Sequence, residues 1–185
     1  MDNAERWLSE TLGYSFSDAR LLRQVLTHRS APGRSNERLE FLGDAVLDIV
    51  VSEALFDALP DAPEGDLSRL RASLVRDTSL ADIAADLGIG EHLILGSGER
   101  KTGGHRRQSI LADALEALFG AVYLDSDFET VADLIRQVFG EKLEDLPHAD
   151  ELRDPKTRLQ EWLQARGATP PVRDATMLTA ILLSR

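Results

Sequence analysis

Two short acidic segments constrain this chain more than any other feature of its sequence. The first lies at residues 36–44 and the second at residues 111–118. In a helix, residues three, four and seven apart are neighbours on the surface, so each segment places its acids on one face. The acids concerned are Glu37, Glu40 and Asp44 in the first segment and Asp113 and Glu116 in the second. Any fold of this chain must therefore accommodate two acidic helix faces.

Both segments also carry apolar side chains opposite their acids, which predicts that both helices pack into a core. These apolar positions are Leu39, Leu42, Val46 and Ile49 in the first segment and Leu111, Ala114, Leu115 and Leu118 in the second. Carboxylates on partly buried helices repel one another and lose hydration unless a cation lies between them. Oxygen donors without a neighbouring Cys or His suit Mg²⁺ or Mn²⁺ better than zinc. Such a centre is what metal-assisted hydrolysis of a phosphodiester requires, whereas the alternative is a pair of solvated helix faces.

The composition limits the class of protein. A chain of 185 residues that is 43% hydrophobic is long enough for one domain with a proper core and a short appendage. The absence of cysteine excludes disulfides and thiolate chemistry and favours a cytoplasmic location. The N-terminus is polar and acidic, unlike a signal peptide, and no apolar run reaches the roughly 18 residues that suggest a membrane span.

The net charge of −11 is unfavourable for a protein that binds nucleic acid, because phosphate recognition needs Lys and Arg. The distribution of charge matters more than its sum. A basic, glycine-containing segment precedes the second acidic helix and contains Arg100, Lys101, His105, Arg106 and Arg107. This segment is expected either to contact phosphate or to be an ordinary solvated surface loop.

Hydrophobic periodicity and capping signals predict an almost entirely helical chain. Helices are expected at residues 19–27, 36–59, 66–77, 79–87, 108–124, 128–143 and 154–166. Asn36 is expected to cap the second of these, and the glycine-rich residues 88–104 are expected to form a loop. Residues 1–146 are accordingly predicted to form one domain, with a linker at 147–153 and a separate short segment at 154–185.

These segments closely resemble the bacterial ribonuclease III family. The family's signature run, Asn-Glu-Arg-Leu-Glu-Phe-Leu-Gly-Asp, stands uninterrupted at residues 36–44. Further blocks occur in the family's order, with Leu-Thr-His-Arg-Ser at 26–30, Glu-Gly-Asp-Leu-Ser at 64–68 and Lys-Thr-Gly-Gly at 101–104, followed by residues 109–117. The resemblance covers nearly everything from about residue 5 to about residue 145.

The resemblance implies an all-α endonuclease domain that works as a homodimer on double-stranded RNA. Each subunit would cut one strand with Mg²⁺, for which Mn²⁺ would substitute, and would leave 5′-phosphate and 3′-hydroxyl ends. Precursors of ribosomal RNA and structured messenger RNAs are the substrates that the family suggests. No Ser-His-Asp or Cys-His arrangement is apparent, so a metal-activated water is the expected nucleophile.

Residue roles follow by position from the same resemblance. The family's metal ligands match Glu40, Asp44, Asp113 and Glu116, and of these Asp44 and Glu116 match the residues most tightly tied to hydrolysis. Residues that assist at the site or contact RNA match Glu37 and Glu64, and the basic Arg100, Lys101, Arg106 and Arg107 are expected to join them. Phe41 matches an aromatic residue that enters a pocket of the partner subunit; from the residues alone it suits the core equally well.

The end of the chain departs from the family pattern. Residues 154–164 resemble the first helix of an αβββα double-stranded-RNA-binding domain, but the resemblance fades after about residue 171. Residues 154–185 are therefore expected to be a truncated remnant of that domain, and RNA binding is expected to be weak and salt-dependent.

Two other functions fit parts of the sequence. A non-cleaving dimer that binds double-stranded RNA would share the fold, but it would gain nothing from acids that repel phosphate. A di-iron carboxylate bundle needs Glu-x-x-His pairs, and none occurs on a predicted helix.

Overall fold

The computed structural model describes residues 3–144, apart from the side chains of residues 141 and 144. This part of the chain forms helices α1 (Asn3–Leu12), α2 (Ala19–Val25), α3 (Glu37–Ala58), α4 (Glu64–Leu74), α5 (Asp77–Asp86), α6 (Ser97–Lys101), α7 (Gln108–Asp125), α8 (Phe128–Phe139) and α9 (Glu141–Glu144). Two 3₁₀ turns lie at Ile89–His92 and Gly104–Arg106. The only extended pairing in the described range is an isolated parallel bridge between Thr27 and Ile94. The all-α prediction is confirmed for these residues.

The core is built around α3 and α7, which pack directly against each other. Leu47 and Val50 of α3 and Leu115 and Phe119 of α7 are fully buried there. α5, α2 and α8 pack on α7, while α4 packs on α3. Because α7 is enclosed in this way, it consists mostly of Ala, Leu, Val, Ile and Phe, as expected for a helix that is apolar on nearly all sides.

Polar side chains fix several helix ends. The Asp18 carboxylate accepts a hydrogen bond from the backbone N–H of Arg20 and caps α2. Asn36 occupies the predicted N-cap position of α3, but its side chain makes no capping hydrogen bond. Instead, the buried Asn36 amide donates to the carbonyl of Val25 at 3.2 Å. The predicted capping role of Asn36 is therefore wrong, because the tertiary contact with α2 takes its side chain.

Several predicted boundaries also need correction. The helices expected at 66–77 and 79–87 are α4 and α5, which meet at an extended backbone at Arg76, with φ −66° and ψ 149°. The helix expected at 128–143 ends at Phe139, because Gly140 takes a positive φ of 33°. Residues 88–104 contain α6 and 3₁₀ turns rather than a plain loop. α1 was not predicted.

The predicted core face of α3 is wrong at one position. Ile49 is 57% exposed, while Gly43, Leu47 and Val50 are buried instead. The buried face of α3 is therefore rotated away from Ile49 toward the line along which α7 packs.

The domain boundary at residue 146, the linker at 147–153 and the segment at 154–185 fall outside the described residues and stay predictions. Within residues 3–144, none of the helices combines the length and apolar composition that crossing a membrane would require.

Candidate metal centre

Two glycines let α3 and α7 approach until their backbones touch. A Cβ atom added to Gly43 would lie 1.8 Å from the carbonyl oxygen of Glu116, and one added to Gly120 would lie 2.2 Å from the carbonyl oxygen of Leu39. No side chain fits at either position, so the two helices are in closer contact than other residue types allow. This contact brings the acidic face of α3 against the acids of α7.

The two acids of α7 are partly exposed, although the rest of the middle of this helix is buried. Between residues 110 and 122, Asp113 and Glu116 are the only residues that are not buried. Glu40, on α3, faces them across the contact. Carboxylate oxygens of Glu40, Asp113 and Glu116 lie within 4.8 Å of one another, which is close enough for one metal ion to bind all three. We call these residues the three-acid group.

The electrostatics of Glu116 are those of a site that lacks compensating charge. The pKa of Glu116 is raised to about 8, first by burial and then by the charges of Asp44, Glu40 and Asp113 in that order. Asp44 is more exposed than the three-acid group and does not belong to it, but it is the carboxylate whose charge most affects Glu116. The structure thus places the predicted ligand Asp44 beside the three-acid group, and we call these four acids the carboxylate cluster, with Asp44 at its edge.

Burial and neighbouring negative charges also raise the pKa values of the other acids of the cluster. Burial, followed by the charges of Asp113 and Glu37, raises the pKa of Glu40. Burial followed by the charge of Asp77 raises that of Asp113. Burial followed by the charge of Asp48 raises the pKa of Asp44. Partly buried carboxylates that repel one another are stabilised by a bound cation, which removes the repulsion.

The donor set fits a hard divalent cation. All three members of the three-acid group offer carboxylate oxygen, the donor type that Mg²⁺, Mn²⁺ and Ca²⁺ prefer. His28 is the histidine whose charge reaches Asp113, but its Nδ1 is hydrogen-bonded to the Ser30 hydroxyl at 2.8 Å. His28 is buried and held by this hydrogen bond, and it is not a member of the three-acid group.

The predicted auxiliary acids lie outside the three-acid group. Glu37, at the start of α3, accepts a hydrogen bond from the Ser35 hydroxyl at 2.9 Å and lies 3.8 Å from Arg29. Glu64, at the start of α4, accepts from the Ser68 hydroxyl at 2.7 Å. The charge of Glu37 raises the pKa of Glu40, so Glu37 lies near the cluster. Glu64 has no comparable effect on the pKa of Glu40.

The basic segment divides into tethered and untethered side chains. Arg107 forms an ion pair with Glu99 at 2.8 Å, and Arg100 donates to the carbonyl of Leu95. Lys101 and Arg106 are exposed and make no ion pair with any residue in the range 3–144. This segment therefore combines two arginines that protein groups hold in place with two cationic side chains that are free to move.

The sequence did not reveal two residues whose charges affect the pKa values of the cluster. Asp77, at the start of α5, raises the pKa of both Asp113 and Glu116, though burial has the larger effect on each. Arg29, between α2 and α3, opposes the increase at Glu40 and Asp113. Both lie outside the two acidic helices, so the spacing within those helices could not reveal them; only the block at 26–30 drew attention to Arg29.

Phe41 is 80% exposed and is therefore not a core residue. It lines a surface groove of about 590 Å³ together with Leu42 of α3 and Leu124 of α7. Ile49 and Phe56, at 57% and 70% exposed, follow it along the same side of α3. We call Phe41, Ile49 and Phe56 the apolar stripe of α3.

The fold and the site together define an all-helical domain with a carboxylate cluster that can hold a metal ion. The family described as Ribonuclease-III-like matches residues 18–143 of this chain. Ribonuclease 3 of Pseudomonas fluorescens strain SBW25 is 56% identical over 164 residues, which are 89% of this chain and 72% of that protein.

Solved structures of ribonuclease III nuclease domains have the same fold as this chain. The nuclease domain of ribonuclease III from Campylobacter jejuni aligns with a TM-score of 0.73 and 44% identity over 77% of this chain and 97% of that domain. A second structure of that domain, described as flexible in a region involved in dimer formation, has a TM-score of 0.71 and 45% identity over 73% of this chain and 95% of its own. The chain belongs to the ribonuclease III family.

Proposed function

We infer that this protein is an endoribonuclease of the ribonuclease III type that cleaves double-stranded RNA. The three-acid group carries the inference, because it lies in a domain of that family and its oxygens can share one cation. A protein that only held RNA would gain nothing from partly buried carboxylates that repel phosphate. The non-cleaving alternative is therefore not favoured.

Mg²⁺ is the proposed resident ion, with Mn²⁺ as a substitute. Glu40, Asp113 and Glu116 would hold it, with Asp44 at the edge of the cluster completing the ligand set. When bound, such an ion supplies Lewis-acid chemistry, polarising the phosphate and making an attacking water more acidic.

Asp44 and Glu116 are the proposed pair on which hydrolysis depends. Because its pKa is about 8, the Glu116 carboxyl holds a proton near neutral pH until a cation replaces it. Asp44 is exposed beside it and keeps a carboxylate toward solvent, where it can accept a proton from water that enters the site. The products would carry 5′-phosphate and 3′-hydroxyl ends.

RNA would be bound by residues around the cluster. Lys101 and Arg106 offer untethered charge for phosphate, and Arg100 and Arg107 offer charge held in fixed positions by Leu95 and Glu99. Glu37 and Glu64 are proposed as assisting groups at this surface. Precursors of ribosomal and messenger RNA are the proposed substrates, and the cytoplasm is the proposed location.

We further propose that the protein works as a homodimer, with Phe41 as an anchor that enters the partner's groove. The supporting observation is the 80% exposure of Phe41 beside an apolar groove on the same surface. A two-fold dimer would make this contact reciprocal, and a large aromatic side chain in a pocket is a typical hot spot.

The test is cleavage of 5′-labelled double-stranded RNA with Mg²⁺, comparing the parent protein with its Glu116→Gln variant. We expect defined double-strand cuts by the parent and a loss of more than about a hundredfold in the variant, beyond the effect typical of residues outside the ligand shell. Glu129→Gln, which neutralises an exposed acid on α8, is the matched control and should cleave normally. Equal cleavage by the parent and Glu116→Gln would contradict the proposed site.

A further inference from the structure

The loop between α2 and α3 is fastened to the segment that precedes α6. The backbone N–H of His28 donates to the carbonyl of Ile94 at 3.1 Å, and the N–H of Ile94 donates to the carbonyl of Leu26 at 2.7 Å. One turn further, the N–H of Gly96 donates to the Ser30 hydroxyl at 3.0 Å. These bonds lock the backbone on both sides of Arg29.

Packing reinforces the same attachment. A Cβ atom on Gly96 would lie 2.3 Å from the carbonyl oxygen of Ser30, so the two segments touch backbone to backbone. Two hydrogen bonds close the turn around Arg29. The buried His28 ring is hydrogen-bonded to the Ser30 hydroxyl, and the His28 carbonyl accepts from the N–H of Ala31. Arg29 therefore projects from a rigid backbone, so a ligand that binds there does not have to order the loop.

The Arg29 side chain itself is free to meet a ligand. It is 73% exposed, and its contact in the described structure is a long one of 3.8 Å with Glu37, which is itself 53% exposed. Exposed pairs of this kind contribute little, so the guanidinium can leave Glu37 at small cost.

Arg29 also lies at the rim of the carboxylate cluster. Burial raises the pKa values of Glu40 and Asp113, and the Arg29 charge opposes both increases. A phosphodiester that approaches these acids is repelled unless positive charge near the rim attracts it. The fastened loop also joins the backbone around Arg29 to the segment that leads into α6, which carries Arg100 and Lys101.

We propose that Arg29 binds a backbone phosphate of the RNA at the rim of the carboxylate cluster and so helps to hold the strand there. The inference rests on the proposed nuclease function and deepens it. A guanidinium suits this task because its planar fork donates two parallel hydrogen bonds to phosphate oxygens, which a lysine cannot do.

The test compares the parent protein with Arg29→Gln, Arg29→Lys and a matched control, Arg6→Gln, which removes an exposed arginine from α1. Binding of a defined RNA duplex is measured in a Glu116→Gln background, where cleavage is blocked, over about 50 to 200 mM salt. For each phosphate contact that is lost, we expect Arg29→Gln to weaken binding about tenfold, the size of one charge-assisted contact, and to lower the salt slope by about 1. Arg29→Lys should keep the slope but recover only part of the affinity, and Arg6→Gln should behave as the parent.

Steady-state cleavage in the active background separates phosphate binding from an indirect effect on the acids. A phosphate contact raises KM with little change in kcat, whereas an effect on the acids shifts the pH profile and leaves KM alone. An unchanged salt slope, an equal loss in Arg6→Gln, or a pH shift without a change in KM would each overturn the proposal. Failure of the parent to cleave, with the Arg29 effect on binding intact, would contradict the nuclease function instead.

Discussion

Among the carboxyl groups of the cluster, Glu116 has the least favourable environment for its charged form. Its pKa is raised to about 8, first by burial and then by Asp44, Glu40 and Asp113. A carboxyl whose pKa is higher in the folded state than in the unfolded state favours folding at low pH, and that contribution is lost as the pH rises toward the folded pKa. Without metal, stability should therefore fall between the ordinary glutamate pKa and about 8.

The corresponding prediction is that Glu116→Gln stabilises the metal-free protein at alkaline pH. At about pH 8.5 the variant should gain about 1–2 kcal/mol in free energy of unfolding, a figure reduced because partial solvent access screens the repulsion. At about pH 4 the gain should vanish, since the carboxyl is protonated in both states. Urea unfolding with a chelator measures both values. Glu129→Gln, which removes an exposed acid from α8, is the control, and an unchanged Glu116→Gln curve at alkaline pH would refute the electrostatic account.

Metal binding at this residue should release a proton. Because Glu116 holds its proton near neutral pH, a divalent cation must displace that proton, and affinity should rise with pH until about pH 8. Calorimetric titration of Mn²⁺ in two buffers with different ionisation enthalpies measures the protons released. Glu116→Gln should abolish most of this release, and a buffer-independent enthalpy in the parent protein would contradict the prediction.

At the residue scale, sequence spacing could predict the acids but not their neighbours. Glu40 and Asp44 share a face of one helix and Asp113 and Glu116 share a face of another, which follows from helix geometry alone. The influence of Arg29 and Asp77 depends on tertiary contacts between a loop, the start of α5 and the cluster. A pattern within one helix contains no information about such contacts.

At the scale of the elements, the contact between α3 and α7 determines the geometry of the cluster, so Gly120 should be intolerant of a side chain. A Cβ there would meet the carbonyl oxygen of Leu39 at 2.2 Å, and backbone cannot move aside as a flexible side chain can. Gly120→Ala should therefore separate the helices, lower the free energy of unfolding by about 1–3 kcal/mol and weaken metal binding.

Gly98→Ala is the matched control for this change. Gly98 lies in α6 with open space where a Cβ would be added, so the substitution should be neutral or slightly stabilising. Thermal unfolding and Mn²⁺ titration of both variants measure the two effects. Full metal affinity in Gly120→Ala would show that the close helix contact is not what positions the acids.

The elements themselves were predictable where periodicity was strong and less so elsewhere. α3 and α7 are long, amphipathic or apolar, and both were anticipated within a few residues. The orientation of α3 was not fully predictable, because Ile49 is apolar and yet lies on the exposed side. α6 and the 3₁₀ turns were missed because elements of three to five residues are too short to establish a period.

At the scale of the whole molecule, α3 contributes to two surfaces at once. One face supplies Glu40 and Asp44 to the cluster, and another presents the apolar stripe of Phe41, Ile49 and Phe56. Because Glu40 and Phe41 are adjacent, a partner seated on the stripe would fix the first turn of α3 and with it one edge of the cluster. Dimerisation and cation binding are therefore expected to support each other.

Removal of the Phe41 ring should weaken the dimer without unfolding the subunit. The side chain is 80% exposed, so Phe41→Ser removes little from the core of the subunit itself. A two-fold dimer loses two anchors at once, and each hot spot contributes at least about 2 kcal/mol, so about 4 kcal/mol is lost and the dissociation constant should rise at least about 700-fold. Sedimentation velocity over a concentration series measures this change, and circular dichroism checks the helices.

A comparison with Phe56→Ser shows whether Phe41 is a specific anchor or only part of a non-specific hydrophobic surface. Phe56 is similarly exposed and lies on the same stripe, but it does not line the groove that contains Phe41. We expect its loss to weaken the dimer less than the loss of Phe41 does. Double-strand cleavage by Phe41→Ser should recover at high protein concentration, because mass action restores the dimer and the cluster of each subunit is intact. A stable Phe41→Ser dimer, or equal weakening by both variants, would show that Phe41 is not the anchor.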